Sequence, residues 1–184
     1  MSSAPNQSHV LHYNIGSILL HWLMFFLIMI AFTLALLLDV VPKEVKPFWV
    51  NVHFVTGTLV FALLWLRLIW RIVAGVPDLP ETLHPHTRKA SHLMHGLLYV
   101  LMGLVPLMGL LTAFYRGRGI DFGFYVFQSP FEADRATGRF FKEIHEFASW
   151  SLFLLAGGHA ALALFHHYAL KDGILLRMMP IKRR

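Results

Sequence analysis

The sequence contains no cysteine, which excludes disulfides, iron–sulfur clusters, thiolate zinc sites and covalently attached haem of the c type. Charge is scarce as well. Asp, Glu, Lys and Arg make up 14% of the 184 residues, against 57% hydrophobic, and mean hydropathy is +0.58. No ordinary soluble domain needs that balance, so the composition predicts an integral membrane protein folded as one domain over residues 1–184. Carboxylates are missing from the interiors of the long apolar runs, where a transporter or metal carrier working with protons or zinc would want them. With cysteine absent, any metal or cofactor must rest on histidine, carboxylate or methionine, and the chain has 12 histidines and 8 methionines.

Basic residues exceed acidic ones, with a formal net charge of +6 and a pI of about 9.9. They flank the apolar runs, so orientation in a membrane accounts for them and no nucleic-acid partner is expected. Four runs reach the roughly twenty residues that cross a bilayer, at about 15–38, 48–72, 90–115 and 143–170. No Lys or Arg precedes the first, which together with its length argues against a cleaved signal peptide. Pro47 predicts a helix start and Pro106 a kink.

Nine Lys and Arg fall on the side shared by both termini and the second loop, and seven on the other. The positive-inside rule then places both termini in the cytoplasm, and the closing IKRR suits anionic cytoplasmic lipid.

His145 and His159 lie fourteen residues apart in the fourth run. At about 100° and 1.5 Å per residue this returns to nearly the same helix face about 21 Å further on. His53 falls near the outer end of the second helix beside His145, and His21 in the inner half of the first beside His159. Two layers result, each with histidines from different helices. Iron porphyrin held between two axial imidazoles requires that arrangement.

Gly57, Gly16, Gly157 and Gly158 stand close to these histidines, where a flat ring needs neighbours without bulk. Arg67, fourteen residues after His53 on the same face, reaches the inner layer and is suited to a haem propionate. His95 competes with His21 on depth alone. For His92 and His95 an interfacial or propionate-binding role is favoured, while His9, His12, His84, His86, His166 and His167 read as surface residues.

The chain resembles the bacterial cytochrome b561 family of small four-helix dihaem membrane proteins. The resemblance is carried by LLHWLMFFL around His21, NVHF and RLIWR in the second helix, SHLMHGLLYVLMGLVPLMGL in the third, FYRGRG after it, KEIHEFAS around His145, and GGHAALALFHHYALKDGILLRMMPIKRR at the end. It covers nearly the whole length. It implies an all-α four-helix bundle enclosing two haem b groups, one between His21 and His159 and one between His53 and His145. Members that oxidise superoxide to dioxygen at the outer face and pass electrons to ubiquinone set the expected reaction.

The residues themselves speak less clearly on the donor. A basic mouth steers an anion, but seven basic and seven acidic residues share the outer side, so only local clustering, such as Arg116 with Arg118, can provide a field. The stretch FGFYVF at 122–127 reads either as a lid over the outer ring or as an aromatic belt. The competing expectation is a cytochrome b subunit that anchors a larger dehydrogenase or hydrogenase, with a redox partner docked on the 27 residues from Arg116 to Lys142.

Overall fold

In the computed structural model, which describes residues 12–77 and 85–180, Asn14 starts the first helix by accepting a hydrogen bond from the Ser17 backbone N–H at 2.8 Å. Helix α1 runs Ile15–Leu37. Helix α2, Lys46–Ala74, has Pro47 in its first turn, where a missing N–H costs nothing, and ends at Gly75 with φ 71°. Helix α3 spans Pro85–Tyr115 with Pro106 inside it. Helix α4 spans Arg135–Phe165 and continues through a π-helical turn at His166–Leu170. His9, His84 and the IKRR run lie outside the described residues.

α3 and α4 begin earlier than hydropathy suggests, because the polar first turns of a helix carry no apolar signal. For α4 the start is set by Asp134, whose side chain accepts from the Ala136 N–H and the Thr137 hydroxyl. The Thr137 hydroxyl above all, and then the Ala136 amide, hold this exposed carboxyl below its usual range.

All four helices are long and apolar enough to cross a membrane. Large side chains such as Leu19, Phe26, Leu66, Ile69, Val100 and Leu154 stand exposed along them. A soluble bundle would bury this surface, and a bilayer solvates it. Hydroxyls on the spans are satisfied within their own helix: Thr56, Thr58, Thr112, Ser149 and Ser151 each donate to the carbonyl four residues earlier, as the absence of water demands.

α1 packs on α2, α2 on α3 and α3 on α4, while α1 meets α4 through Phe32, stacked on Phe153 at 4.2 Å. The tightest core is a mid-bundle cluster of Met24, Val60, Leu64, Met102 and Leu152. Between α3 and α4 the chain forms a two-stranded antiparallel hairpin, β1 (Ile120–Asp121) and β2 (Val126–Phe127). Asn51 clamps it to α2, donating to the Asp121 carbonyl at 2.8 Å and accepting from the Asp121 N–H at 3.0 Å. This defines a hairpin end of the bundle. At the opposite, termini end, Trp22 donates to the Met178 carbonyl, and buried Arg177 donates to the Pro77 carbonyl and lies over Tyr13.

Candidate functional site

Toward the hairpin end, His53 of α2 faces His145 of α4 with ring centroids 6.0 Å apart and planes at 87°. Each imidazole is tethered through Nδ1 to a carbonyl of a third or fourth helix. His53 donates to Ala31 of α1 at 3.0 Å and His145 to Val105 of α3 at 2.8 Å. Because a carbonyl can only accept, Nδ1 carries the proton in both rings, and Nε2 is left with its lone pair free.

The approach of His145 to α3 depends on Gly109: a Cβ there would stand 3.0 Å from Cε1 and 3.1 Å from Nδ1 of the imidazole. Spacing from the histidines does not reveal this glycine, since it belongs to a different helix. A small space adjoins the pair, bounded by Phe54, Gly57, Pro106, Gly109 and the hairpin's Ile120. Ile120 is 2% exposed, whereas Phe124 is 90% exposed. The hairpin therefore covers this space with one residue and presents its aromatic tip outward.

Toward the termini end, His159 of α4 faces His21 of α1 at 6.4 Å and 71°. Here a third ring intrudes, with His95 of α3 only 5.3 Å from His159. The polar partners are side chains. Arg67 donates from Nη2 to Nδ1 of His21 at 3.0 Å, and Ser91 lies 3.4 Å from Nδ1 of His95. Tyr99, which sequence reasoning overlooks, has two guanidiniums over its ring, with Arg67 at 5.7 Å and Arg71 at 5.9 Å from its ring centre.

The four predicted histidines thus meet in two pairs, and Arg67 reaches the second. His92 is exposed, as are His12 and His86, while His167 is half-buried and His166 is half-buried and paired with Asp172. Gly57, Gly157 and Gly158 have nothing within 4 Å of the position of a Cβ. Gly16 is different: a Cβ would collide with the Trp70 indole at 2.6 Å. Its smallness serves α1–α2 packing instead of a ring edge.

The family profile of prokaryotic cytochrome b561 matches residues 12–180. The chain belongs to the prokaryotic cytochrome b561 family. Among curated relatives it is similar to the probable superoxide oxidase CybB of Yersinia pestis, 30% identical over 172 residues, covering 93% of this chain and 97% of the relative. It is 34% identical over 171 residues to cytochrome b561 homolog 1 of Escherichia coli (strain K12), covering 90% and 96%. It is 36% identical over 168 residues to cytochrome b562 of Cereibacter sphaeroides, covering 88% and 91%. This member of the b561 family is accordingly an all-α, multi-pass membrane protein of electron transfer, and its cofactor is haem b.

The residues fit that cofactor. Two imidazoles facing each other across one iron, each through a bond of about 2.0 Å, would hold their ring centres roughly 6 Å apart. The pairs at 6.0 and 6.4 Å meet this spacing, and His95 with His159 at 5.3 Å falls short of it. With no cysteine in the chain, the imidazoles form a donor set suited to a b-type centre.

Proposed function

We propose that this protein is a dihaem oxidoreductase that takes electrons from superoxide at its hairpin end and passes them to ubiquinone in the membrane. The observation that carries the reading is the pair of histidine couples at 6.0 and 6.4 Å, drawn from facing helices at the two ends of one bundle. His53 and His145 would hold one haem b, and His21 and His159 the other, with Arg67 against a propionate of the second. Haem b supplies a one-electron acceptor and donor.

The chain supplies the rest. The carbonyls of Ala31 and Val105 orient the hairpin-side imidazoles and raise their basicity. The Met24–Leu152 cluster keeps water out of the space between the layers. Each superoxide gives up one electron and leaves as dioxygen, so two are needed, with two protons, to turn one quinone into quinol. Arg116 and Arg118 are exposed just beyond α3, whereas Lys142 is tied to Glu146. These two arginines give the hairpin end the local positive charge that attracts an anion. The name carried by the Yersinia pestis relative supports superoxide as the donor.

By the excess of basic residues on the termini side, we place both termini in the cytoplasm and the hairpin at the outer face of the bacterial inner membrane. The whole chain, residues 1–184, acts as one domain. Stopped-flow mixing of the oxidised protein with superoxide tests the function. The expected result is b-type haem reduction faster than dismutation, followed by reoxidation when ubiquinone is added. Haem that stays oxidised on that timescale overturns superoxide as donor and leaves a cytochrome b that needs a protein partner.

A further inference from the structure

Resting on the two-haem reading above, we propose that the termini-side site selects its porphyrin by a carboxylate, through Arg67, and that the hairpin-side site does not. The argument begins with the lone pairs of His21. A neutral imidazole has one acceptor nitrogen. Arg67 can only donate, so its contact at 3.0 Å uses the Nδ1 lone pair and puts the proton on Nε2. A metal bound through Nε2 needs the opposite tautomer, with the proton moved to Nδ1 and none gained or lost overall. An N–H at Nδ1 repels the guanidinium. His21 therefore serves either Arg67 or a metal, and ligation requires Arg67 to turn to another acceptor.

Among the described residues the only carboxylate on the termini side is Asp172, and it pairs with His166. No ion pair to Arg67 or Arg71 exists among the described residues, although both guanidiniums lie within 6 Å of the same Tyr99 ring. Two guanidiniums at one tyrosine ring in an apolar span call for an anion. The porphyrin edge brings one, and a carboxylate receives a guanidinium in a two-pronged, charge-assisted geometry.

The hairpin-side pair presents no such conflict. Its Nδ1 protons already rest on main-chain carbonyls, and the charged groups near His145, Lys142 and Glu146, satisfy each other. That site is set for ligation without help from a substituent of the ring.

The test uses the full-length chain, produced in haem-deficient cells and held in lipid nanodiscs, titrated with ferric protoporphyrin IX or with its dimethyl ester. The expected result is two low-spin equivalents of the free acid and one of the ester. His145→Ala should take one free acid and no ester, which assigns the discriminating site to the termini end. Arg67→Gln should admit a second ester, because its side-chain carbonyl can accept the Nδ1 proton. It should also weaken free-acid binding there at least about tenfold, the loss expected for one charge-assisted pair. Two equivalents of ester in the unaltered chain, or none, overturn the proposal, as does an Arg67→Gln variant that still rejects the ester. Fewer than two equivalents of the free acid in the unaltered chain contradict the two-haem reading itself, a result separate from either ester outcome.

Discussion

At the hairpin end two imidazoles hang from the main chain of neighbouring helices; at the termini end the corresponding pair is surrounded by side chains. His53 and His145 donate to Ala31 and Val105, and their positions follow from the packing of four helices and the absence of a Cβ at Gly109. His21 and His159 share their layer with His95, Arg67, Arg71 and Tyr99. Main-chain carbonyls cannot rotate away, whereas arginine and histidine side chains can. The first site is therefore rigid and chemically simple, and the second is adjustable and rich in positive charge. On the proposed two-haem reading, that contrast would set the ligation strength and local field of each station separately.

On the proposed two-haem reading, removing one of the four paired histidines should break the symmetry most severely. His145→Ala is expected to lower haem from two to one per chain by pyridine haemochrome assay, with the termini-side haem retained. His159→Ala should leave the hairpin-side haem instead. Loss of both from either variant would show that the stations depend on one another. A subtler lesion is Gly109→Leu, which drives a side chain into the space where a Cβ already meets His145 at 3.0 Å. It should displace the imidazole from Val105 and abolish only the hairpin-side low-spin signal. Gly109→Ala should keep that haem but perturb its spectrum.

The smallest effect concerns Asp134, which caps the helix that carries His145. Its carboxyl is held below its ordinary value of 3.8 by the Thr137 hydroxyl and the Ala136 amide. A depressed carboxyl stabilises the fold above its unfolded pKa, and that contribution fades as pH falls through the lower folded value. Thermal scans should show a slight loss of stability on acidification below about 3.8, confined to the hairpin end by hydrogen exchange. Asp134→Asn, which still caps, should flatten the dependence while leaving neutral-pH stability nearly unchanged.

Much of the architecture is legible in the residues. Four apolar runs without internal carboxylates dictate four spans, because unpaired charge is costly in lipid and the backbone must satisfy itself there. The fourteen-residue interval from His145 to His159 sets two depths on one face. The starts of α3 and α4 escape that reading, since hydropathy registers the bilayer and not the hydrogen bonds of Asp134 that begin a helix in water.

The sequence by itself determined the number of spans, the absence of thiolate chemistry and the histidines available at each depth, all of which depend on composition and helical periodicity. Only the tertiary structure decided which rings face one another. Depth fixes a residue's height but not its direction around the helix axis, so His95 and His21 were equivalent until α1, α3 and α4 were packed. It likewise assigned Gly109 to His145, Gly16 to Trp70 and Arg67 to His21. Each of these contacts joins residues on different helices, and no spacing along a single chain encodes the angle at which two helices meet.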